Sequence, residues 1–227
     1  LLMRHNYIPA PHSIYAGIRK LLPGALLVVS ARDRSAEPHR YWDGRQIVAE
    51  GLTHPFAGSP EDAVEELDRL LGDAVSRQMM ADVPLGAFLS GGVDSSTIVA
   101  IMQARSSRPV KTFTIGFHEP GFNEAEHAKA VARHLGTDHT ELYVTPQQAL
   151  EVIPRLPALY DEPFSDSSQI PTFLVSQMTR QHVMVSLSGD AGDELFCGYS
   201  RYLVGMQMWG RLSQLPMPVR AAFAGLI

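Results

Sequence analysis

Cysteine is nearly absent from this chain: Cys197 is the only one among 227 residues. A single cysteine excludes an internal disulfide framework and fits a reducing compartment, so we expect a cytoplasmic protein. No apolar stretch approaches the length of a membrane span, and the first residues lack the charged-then-apolar pattern of a secretory signal, so we expect no membrane association. The formal net charge of −5 argues against a nucleic-acid partner.

The distribution of glycine, proline and apolar residues predicts two unequal parts. Residues 1–50 carry turns and short apolar runs, which favour a β-rich segment, and residues 51–60 have the glycine and proline content of a linker. Ser59 followed by Pro60 is typical of a helix start. Residues 61–227 then alternate between strand-like and helical patterns, which predicts an α/β domain with a parallel sheet and helices on both faces.

The most informative stretch is Leu-Ser-Gly-Gly-Val-Asp-Ser-Ser at residues 89–96, named here the glycine loop. It joins a predicted strand to a predicted helix, whose first N–H groups and positive dipole end point at the turn. Its glycines let a phosphate approach the backbone, the hydroxyls of Ser90, Ser95 and Ser96 add donors, and Asp94 can hold a magnesium ion. The alternative is a plain turn in which Asp94 or Ser95 caps the helix.

The order of residues in the glycine loop separates it from other phosphate-binding loops. No Gly-Lys-Ser/Thr closes it, as in kinase-type loops, and no Gly-x-Gly-x-x-Gly opens a dinucleotide-binding fold. Ser-Gly-Gly-x-Asp-Ser resembles the signature of ATP pyrophosphatases, which cleave ATP to AMP and pyrophosphate while they adenylate a substrate. The leading interpretation is therefore an enzyme that uses ATP.

A second candidate element, named here the acidic loop, covers residues 188–196 and follows the predicted strand 183–187. It holds two glycines and three carboxylates, and neighbouring acids repel each other unless a cation lies among them. Magnesium bound to pyrophosphate is such a cation, so we expect Asp193 to be a metal ligand opposite Asp94. The alternative is a solvated turn that caps the next helix.

Two further segments are open to more than one interpretation. Gly116 lies near the carboxyl end of a predicted strand, where an adenine could pack, and the main chain of Ile115 could face its exocyclic amine; a core strand is the alternative. Residues 160–168 combine acids and hydroxyls. Either Asp166 or Ser167 caps the following helix, or the segment receives the amino and carboxylate groups of a small polar substrate.

Five motifs, taken in order, resemble those of the glutamine-hydrolysing asparagine synthetases, the asparagine synthase family. They are Ser-Gly-Gly-Val-Asp-Ser-Ser at 90–96, Phe-Thr-Ile-Gly-Phe at 113–117, His-Leu-Gly-Thr-Asp-His at 134–139, Asp-Glu-Pro-Phe-Ser-Asp-Ser-Ser at 161–168, and Ser-Gly-Asp-Ala-Gly-Asp-Glu-Leu-Phe-Cys-Gly-Tyr at 188–199. Residues 5–42 resemble the end of that family's amino-terminal glutaminase domain.

The resemblance implies a division into domains. Residues 1–50 would be the end of a class II glutamine amidotransferase domain, 51–60 the linker, and 61–227 an ATP-pyrophosphatase domain of the adenine-nucleotide α-hydrolase-like fold, truncated at its carboxyl end. Both ends of the chain are expected to be cut, and the fragment alone is expected to be inactive. Ala191 and Cys197 stand where the family commonly has glycine.

The resemblance also implies an activity: conversion of aspartate to asparagine through β-aspartyl-AMP, with ATP and Mg²⁺, releasing AMP and pyrophosphate. The partners implied are ATP, aspartate, ammonia from glutamine, and the glutaminase domain of the same polypeptide, with a homodimer left open. Alternatives are adenylation of another carboxylate, as in β-lactam synthetases or in peptide and polysaccharide pathways, or a non-catalytic fragment.

The site residues follow from the same resemblance. Asp94 and Asp193 would hold magnesium, and Asp190 would orient the ammonia or take its proton. The implied ATP- and pyrophosphate-binding residues are Leu89, Ser90, Gly91, Gly92, Val93, Asp94, Ser95, Ser96, Ile115, Gly116, Ser188 and Gly189.

Overall fold

A parallel sheet forms the centre of the structure, a computed structural model that describes residues 1–32, 36–118 and 123–224. Its four strands run in the order β5-β4-β3-β6, where β3 is Leu85–Phe88, β4 is Lys111–Phe117, β5 is Asp138–Val144 and β6 is Val185–Leu187. The chain builds β3, β4 and β5 outward in one direction and then places β6 on the other side of β3. The strand order therefore reverses between β3 and β6, and such a switch point opens a crevice at the carboxyl ends of the strands.

Helices cover both faces of the sheet, which confirms the predicted α/β class. On one face lie α3 (Pro60–Gln78), α4 (Val93–Ala104) and α5 (Ala125–Leu135), which share an apolar core with the strands. On the other face α8 (Gln169–Thr179) packs against β4. The buried residues of the first core are Val75, Ala87, Leu89, Val99, Ile101, Met102, Val110, Ala128 and Ala132.

The helix α3 starts at its N-cap Ser59, as the sequence predicted, and a capping box with Asp62 holds this start. The hydroxyl of Ser59 accepts from the N–H of Asp62 at 3.1 Å, and the Asp62 carboxylate accepts from the N–H of Ser59 at 2.8 Å. The helix before it, α2 (Gly44–Thr53), reaches three residues into the predicted linker 51–60. Its N-cap is Asp43, whose carboxylate accepts from the N–H of Arg45 at 3.0 Å.

The amino-terminal segment contains less strand than expected. Among its described residues it has a short helix, α1 (Leu2–His5), and two antiparallel strands of two residues each, β1 (Ala25–Leu26) and β2 (His39–Arg40). The apolar run that begins at Ala25 predicts a longer strand, but Val28 and Val29 are exposed. A strand needs a neighbouring strand for its backbone hydrogen bonds, and the strand pairing that the described residues show begins at Ala25 and ends at Leu26.

Pro154 and Pro157 interrupt the predicted helix 146–159, which the structure divides into three shorter helical elements. They are α6 (Pro146–Val152), a 3₁₀ turn at Ile153–Arg155 and α7 (Leu156–Leu159). The remaining helices are α9 (Gly192–Phe196), α10 (Ser200–Leu212) and α11 (Met217–Ala224). In the part of the chain that the structure describes, no helix combines the length and apolarity needed to cross a bilayer.

Phe113 anchors the face of the sheet opposite α4, since its ring is 1% exposed and packs with Met178 and Val183. We expect Phe113→Ala to lower the free energy of unfolding by about 3–5 kcal/mol, because it removes a buried aromatic ring and leaves a cavity. Phe56, which is 59% exposed, provides the matched control in Phe56→Ala. Equal losses for both variants in chemical denaturation would contradict this account of the core.

Candidate functional site

A polar cavity of about 680 Å³ lies at the switch point, at the carboxyl ends of β3 and β6. The glycine loop forms one wall, the acidic loop a second, and the start of α8 a third. The lining residues are Phe88, Ser90, Asp94, Ser95, Asp166, Ser168, Thr172, Ser188, Gly189, Asp190, Ala191, Gly192, Asp193, Glu194 and Tyr199. The two loops, separated by about ninety residues in the sequence, thus become neighbours at the cavity.

Serine side chains close the glycine loop on itself. The hydroxyl of Ser95 lies 2.9 Å from that of Ser90 and accepts from the N–H of Ser90 at 3.2 Å. The N-cap of α4 is Gly92, which has no side chain to cap with, and Asp94 and Ser95 lie inside the first turn. The alternative interpretation, in which Asp94 or Ser95 caps the helix, is therefore not what the structure has.

The acidic loop rests directly on the first turn of α4. A Cβ atom added to Gly189 would lie 2.6 Å from the backbone nitrogen of Ser95, and one added to Gly192 would overlap Oδ2 of Asp94. Real Cβ atoms do not approach other atoms so closely, so Gly189 is required for the loop to lie on the backbone of α4, and a side chain at Gly192 would have to displace the Asp94 carboxylate. The contact brings the acidic loop against the side chain of Asp94.

Gly91 has a related role on the other side of the glycine loop. Its φ of +82° is in the left-handed region, and a Cβ there would lie 2.6 Å from the backbone nitrogen of Ala128 in α5. The sequence suggested that the glycines leave room for a ligand. At Gly91 the close neighbour is the protein's own helix.

Ala191 in the acidic loop and Cys197 directly after it hold a backbone conformation that L-amino acids rarely adopt. Ala191 has φ of +75° and Cys197 has φ of +59°. Ala191 precedes α9 and Cys197 follows it, so both ends of this five-residue helix are left-handed turns. Side chains are disfavoured there because Cβ crowds the backbone, which explains why glycine would suit both positions.

Side-chain contacts within the cavity orient its carboxylates. Ser188 Oγ donates to Oδ2 of Asp190 at 3.0 Å, and Tyr199 Oη donates to Glu194 at 2.9 Å. The hydrogen bond to Glu194 raises the pKa of Tyr199 above its usual value. The backbone of Gly198 lies so close to the Asp193 carboxylate that a Cβ there would overlap it.

The cavity is acidic. Its described lining contains five carboxylates and no lysine, arginine or histidine: Asp94, Asp166, Asp190, Asp193 and Glu194. Such a lining repels a free anion, so a phosphate group could enter only with a cation. No group of three or more histidine, cysteine, aspartate or glutamate side chains among the described residues is arranged to hold a metal by itself. A cation there would need ligands from the bound molecule as well.

Asp166 has a local task in addition to lining the cavity. Its Oδ1 accepts from the N–H of Ser168 at 2.8 Å and from the Ser168 hydroxyl at 2.7 Å. The backbone N–H of Ser168, followed by its hydroxyl, lowers the pKa of Asp166. The predicted cap at Asp166 or Ser167 is wrong, because the N-cap of α8 is Ser168, one residue after Ser167 and two after Asp166.

The structure brings seven of the predicted site residues to the cavity. These are Ser90, Asp94, Ser95, Ser188, Gly189, Asp190 and Asp193. The side chain of Leu89 is 1% exposed and belongs to the core, so this side chain is not available to a ligand in the cavity. Its N–H donates to the carbonyl of Phe113 at 2.9 Å.

Other predicted residues lie elsewhere. Val93 lines an adjoining, mainly apolar cavity of about 280 Å³ between α3, α4 and α9, which shares Asp94 and residues 188–192 with the polar cavity. Ser96 faces a groove between α4 and α5. Gly91, Gly92, Ile115 and Gly116 are not among the described residues that line the polar cavity. At Gly116 a Cβ would lie 2.8 Å from Cβ of Ala125, so this glycine allows α5 to pack on β4.

Sequence reasoning missed Phe88, Thr172, Glu194 and Tyr199 as cavity residues. Thr172 follows Ser168 by four residues in α8, so helical periodicity could have placed both on one face. Tyr199 ends the motif at 188–199, but nothing in the sequence indicates that its side chain packs beside the carboxylates of the acidic loop.

The fold and cavity define an α/β protein with a candidate ligand site at the switch point of a parallel sheet. The asparagine synthase profile matches residues 66–225, and the chain belongs to the asparagine synthase family. The resemblance found in the sequence is thereby confirmed.

Curated relatives carry the family's name. A putative glutamine-hydrolysing asparagine synthetase of Methanocaldococcus jannaschii is 39% identical over 207 residues, covering 89% of this chain and 38% of the relative. Glutamine-hydrolysing asparagine synthetase 1 of Bacillus subtilis is 32% identical over 201 residues, covering 88% and 30%. The chain therefore spans about a third of the length of these relatives.

Among solved structures, that of NMN synthetase from Francisella tularensis matches with a TM-score of 0.40 and 14% sequence identity. The match covers 60% of this chain and 57% of the NMN synthetase chain. The family assignment rests on the sequence matches alone.

The left-handed backbone at Ala191 predicts that replacement by glycine stabilises the protein there, although the same replacement destabilises an ordinary helix. We expect Ala191→Gly to raise the free energy of unfolding by about 1 kcal/mol, because glycine adopts this conformation without a Cβ clash. Ala63→Gly, the same replacement at an exposed position of α3, should lower it by about 0.5–1 kcal/mol. Chemical denaturation measures both free energies of unfolding, and a destabilising effect of Ala191→Gly would show that the backbone at Ala191 is not strained.

Proposed function

We propose that this chain carries the synthetase site of a longer polypeptide, which uses ATP to convert aspartate to asparagine through β-aspartyl-AMP, releasing AMP and pyrophosphate. Membership of the asparagine synthase family and the names of its relatives support this reaction. The observation that carries it is the meeting of the glycine loop and the acidic loop at one acidic cavity. We further propose cytoplasm as its location, on the strength of the single cysteine.

The cavity suits a nucleotide that brings a divalent cation with it. Backbone N–H groups at the start of α4 and the hydroxyls of Ser90 and Ser95 would donate to phosphate oxygens. Asp94 and Asp193 line the same cavity, and Mg²⁺ typically takes one or two carboxylates together with substrate phosphates and water. The chemistry that Mg²⁺ supplies when bound is neutralisation of charge on those phosphate oxygens.

In the first proposed step an oxygen of the aspartate side-chain carboxylate attacks the α-phosphorus of ATP. The bond from the α-phosphorus to the bridging oxygen breaks, and its electron pair leaves with pyrophosphate. Charge grows on the departing phosphates, so preorganised donors aimed at them lower the barrier. The backbone of the glycine loop, fixed by the Ser90–Ser95 contact, would supply those donors.

In the second proposed step the nitrogen of ammonia attacks the carbonyl carbon of β-aspartyl-AMP. The carbon–oxygen bond to AMP breaks, and the nitrogen loses a proton. Asp190 lines the cavity and is oriented by Ser188 Oγ, which makes it our candidate to hold the ammonia or accept that proton. We propose that the ammonia comes from glutamine hydrolysed in an amino-terminal domain of the same polypeptide, the reaction after which the relatives are named.

Pyrophosphate release by the full-length protein tests this proposal, measured with ATP, Mg²⁺ and ammonium, with and without aspartate. We expect release to depend on aspartate and to fall roughly 100-fold or more in Asp94→Ala. The matched control is Asp68→Ala, which removes an exposed carboxylate in α3 and should leave the rate unchanged. If pyrophosphate release did not depend on aspartate, the substrate of adenylation would be another carboxylate. If the protein did not bind ATP, the adenylation proposal would be wrong.

The contact between the loops can be tested separately from the reaction. We expect Gly192→Ala to weaken ATP·Mg²⁺ binding by about tenfold or more, because its methyl group would displace the Asp94 carboxylate. Gly210→Ala is the matched control, since a Cβ there meets nothing within 4 Å. Calorimetric titration measures the affinity of both variants for ATP·Mg²⁺, and equal affinities would show that the contact between the loops does not support binding.

A further inference from the structure

The amino-terminal segment is fastened to a loop of the α/β domain about 150 residues away in sequence. The N–H of Ile14 donates to Oε1 of Glu162 at 2.8 Å, and Tyr15 Oη donates to the carbonyl of Asp161 at 3.0 Å. The N–H of Ser165 donates to the carbonyl of Asn6 at 2.7 Å. Three separate hydrogen bonds thus join residues 6–15 to residues 161–165.

An ion pair completes this attachment. Lys20 Nζ pairs with Oε2 of Glu162, while it also donates to the carbonyl of Ile8 at 2.6 Å. The Glu162 side chain is only 14% exposed, and each of its oxygens faces a donor of the amino-terminal segment. These two donors, Lys20 first, lower the pKa of Glu162, so the carboxylate is ionised at neutral pH.

The loop that receives the segment leads directly into the polar cavity. Four residues after Glu162 it reaches Asp166, and then Ser168, both of which line the cavity. The amide of Gln169 in α8 donates to the carbonyls of Phe164 and Asp166 at 2.9 Å each, and the Phe164 ring packs edge-on against another ring of the loop at 4.8 Å. A displacement at Glu162 would therefore be passed on to the cavity wall.

Residues 160–168 form neither helix nor strand, so no regular backbone ladder holds this loop, and its order depends on individual contacts such as those of Glu162. An irregular segment that forms a wall of a binding site must be ordered before or during binding, and ordering it in advance lowers the cost of binding. The contacts of Glu162 with the amino-terminal segment supply such order.

We propose that Glu162 is a positioning residue: paired with Lys20, it holds the 160–168 loop so that Asp166 and Ser168 are in place to receive the amino-acid substrate. The identity of that substrate rests on the proposed function. The amino-terminal segment thereby controls how well the synthetase cavity binds its substrate. The glycine loop is held by α4, α5 and the acidic loop instead, so ATP binding should not depend on this pair.

The test compares full-length Glu162→Gln and Lys20→Met with their double variant and with Lys20→Arg, which keeps the charge. We expect each single loss of the pair to raise the KM for aspartate by roughly threefold or more, with kcat and the KM for ATP nearly unchanged. The double variant should be no worse than the more damaging single one, and Lys20→Arg should retain a near-normal KM. The matched control is Glu66→Gln, which breaks an exposed ion pair with Arg69 in α3 and should change no constant.

Amide hydrogen exchange gives a second readout that needs no turnover. The Ser165 and Ser168 amides, protected by Asn6 and Asp166, should exchange faster in Glu162→Gln than in Glu66→Gln. Unchanged exchange at both amides, or additive effects of Lys20→Met and Glu162→Gln on KM, would overturn the proposal. A protein that shows the exchange difference but turns over another substrate would keep the positioning role and reject aspartate.

Discussion

The packing of the acidic loop on the first turn of α4 is the contact on which the site depends. It is possible because β6 inserts beside β3, so that two loops far apart in sequence leave the same edge of the sheet. The approach is so close that Gly189 and Gly192 have no room for a side chain against Ser95 and Asp94. A methyl group at Gly189 would push the acidic loop away from the backbone of α4, and one at Gly192 would displace the Asp94 carboxylate.

The contact also concentrates negative charge. Carboxylates from three elements face one cavity whose described lining has no basic side chain. This arrangement is costly unless a cation joins it, and the proposed ATP·Mg²⁺ complex would bring one. The amino-terminal segment acts on the same cavity from outside, through the 160–168 loop. The proposed synthetase site is thus shaped by two long-range attachments, one between glycine-rich turns and one between Lys20 and Glu162.

Local patterns were sufficient for most elements of the α/β domain. The helix start at Ser59 and the alternation of strands and helices were predicted correctly because each depends on neighbouring residues, and the alternation in turn indicated a parallel sheet. The amino-terminal segment was predicted less well, since the extent of a strand such as β1 is decided by a distant partner. Capping of α4 by Asp94 or Ser95 was the alternative interpretation of the glycine loop, and it is wrong because the N-cap is Gly92.

The sequence by itself determined the family, through motifs whose order and residue types survive without coordinates. It also determined which loops carry serine, glycine and carboxylate groups. Only the tertiary structure decided that Thr172 and Tyr199 join the cavity, that Gly91 and Gly116 serve helix packing, and that Leu89 belongs to the core. The physical reason is that such roles depend on which surfaces meet when the sheet is assembled, and contacts between residues distant in sequence leave no periodic signal in the chain.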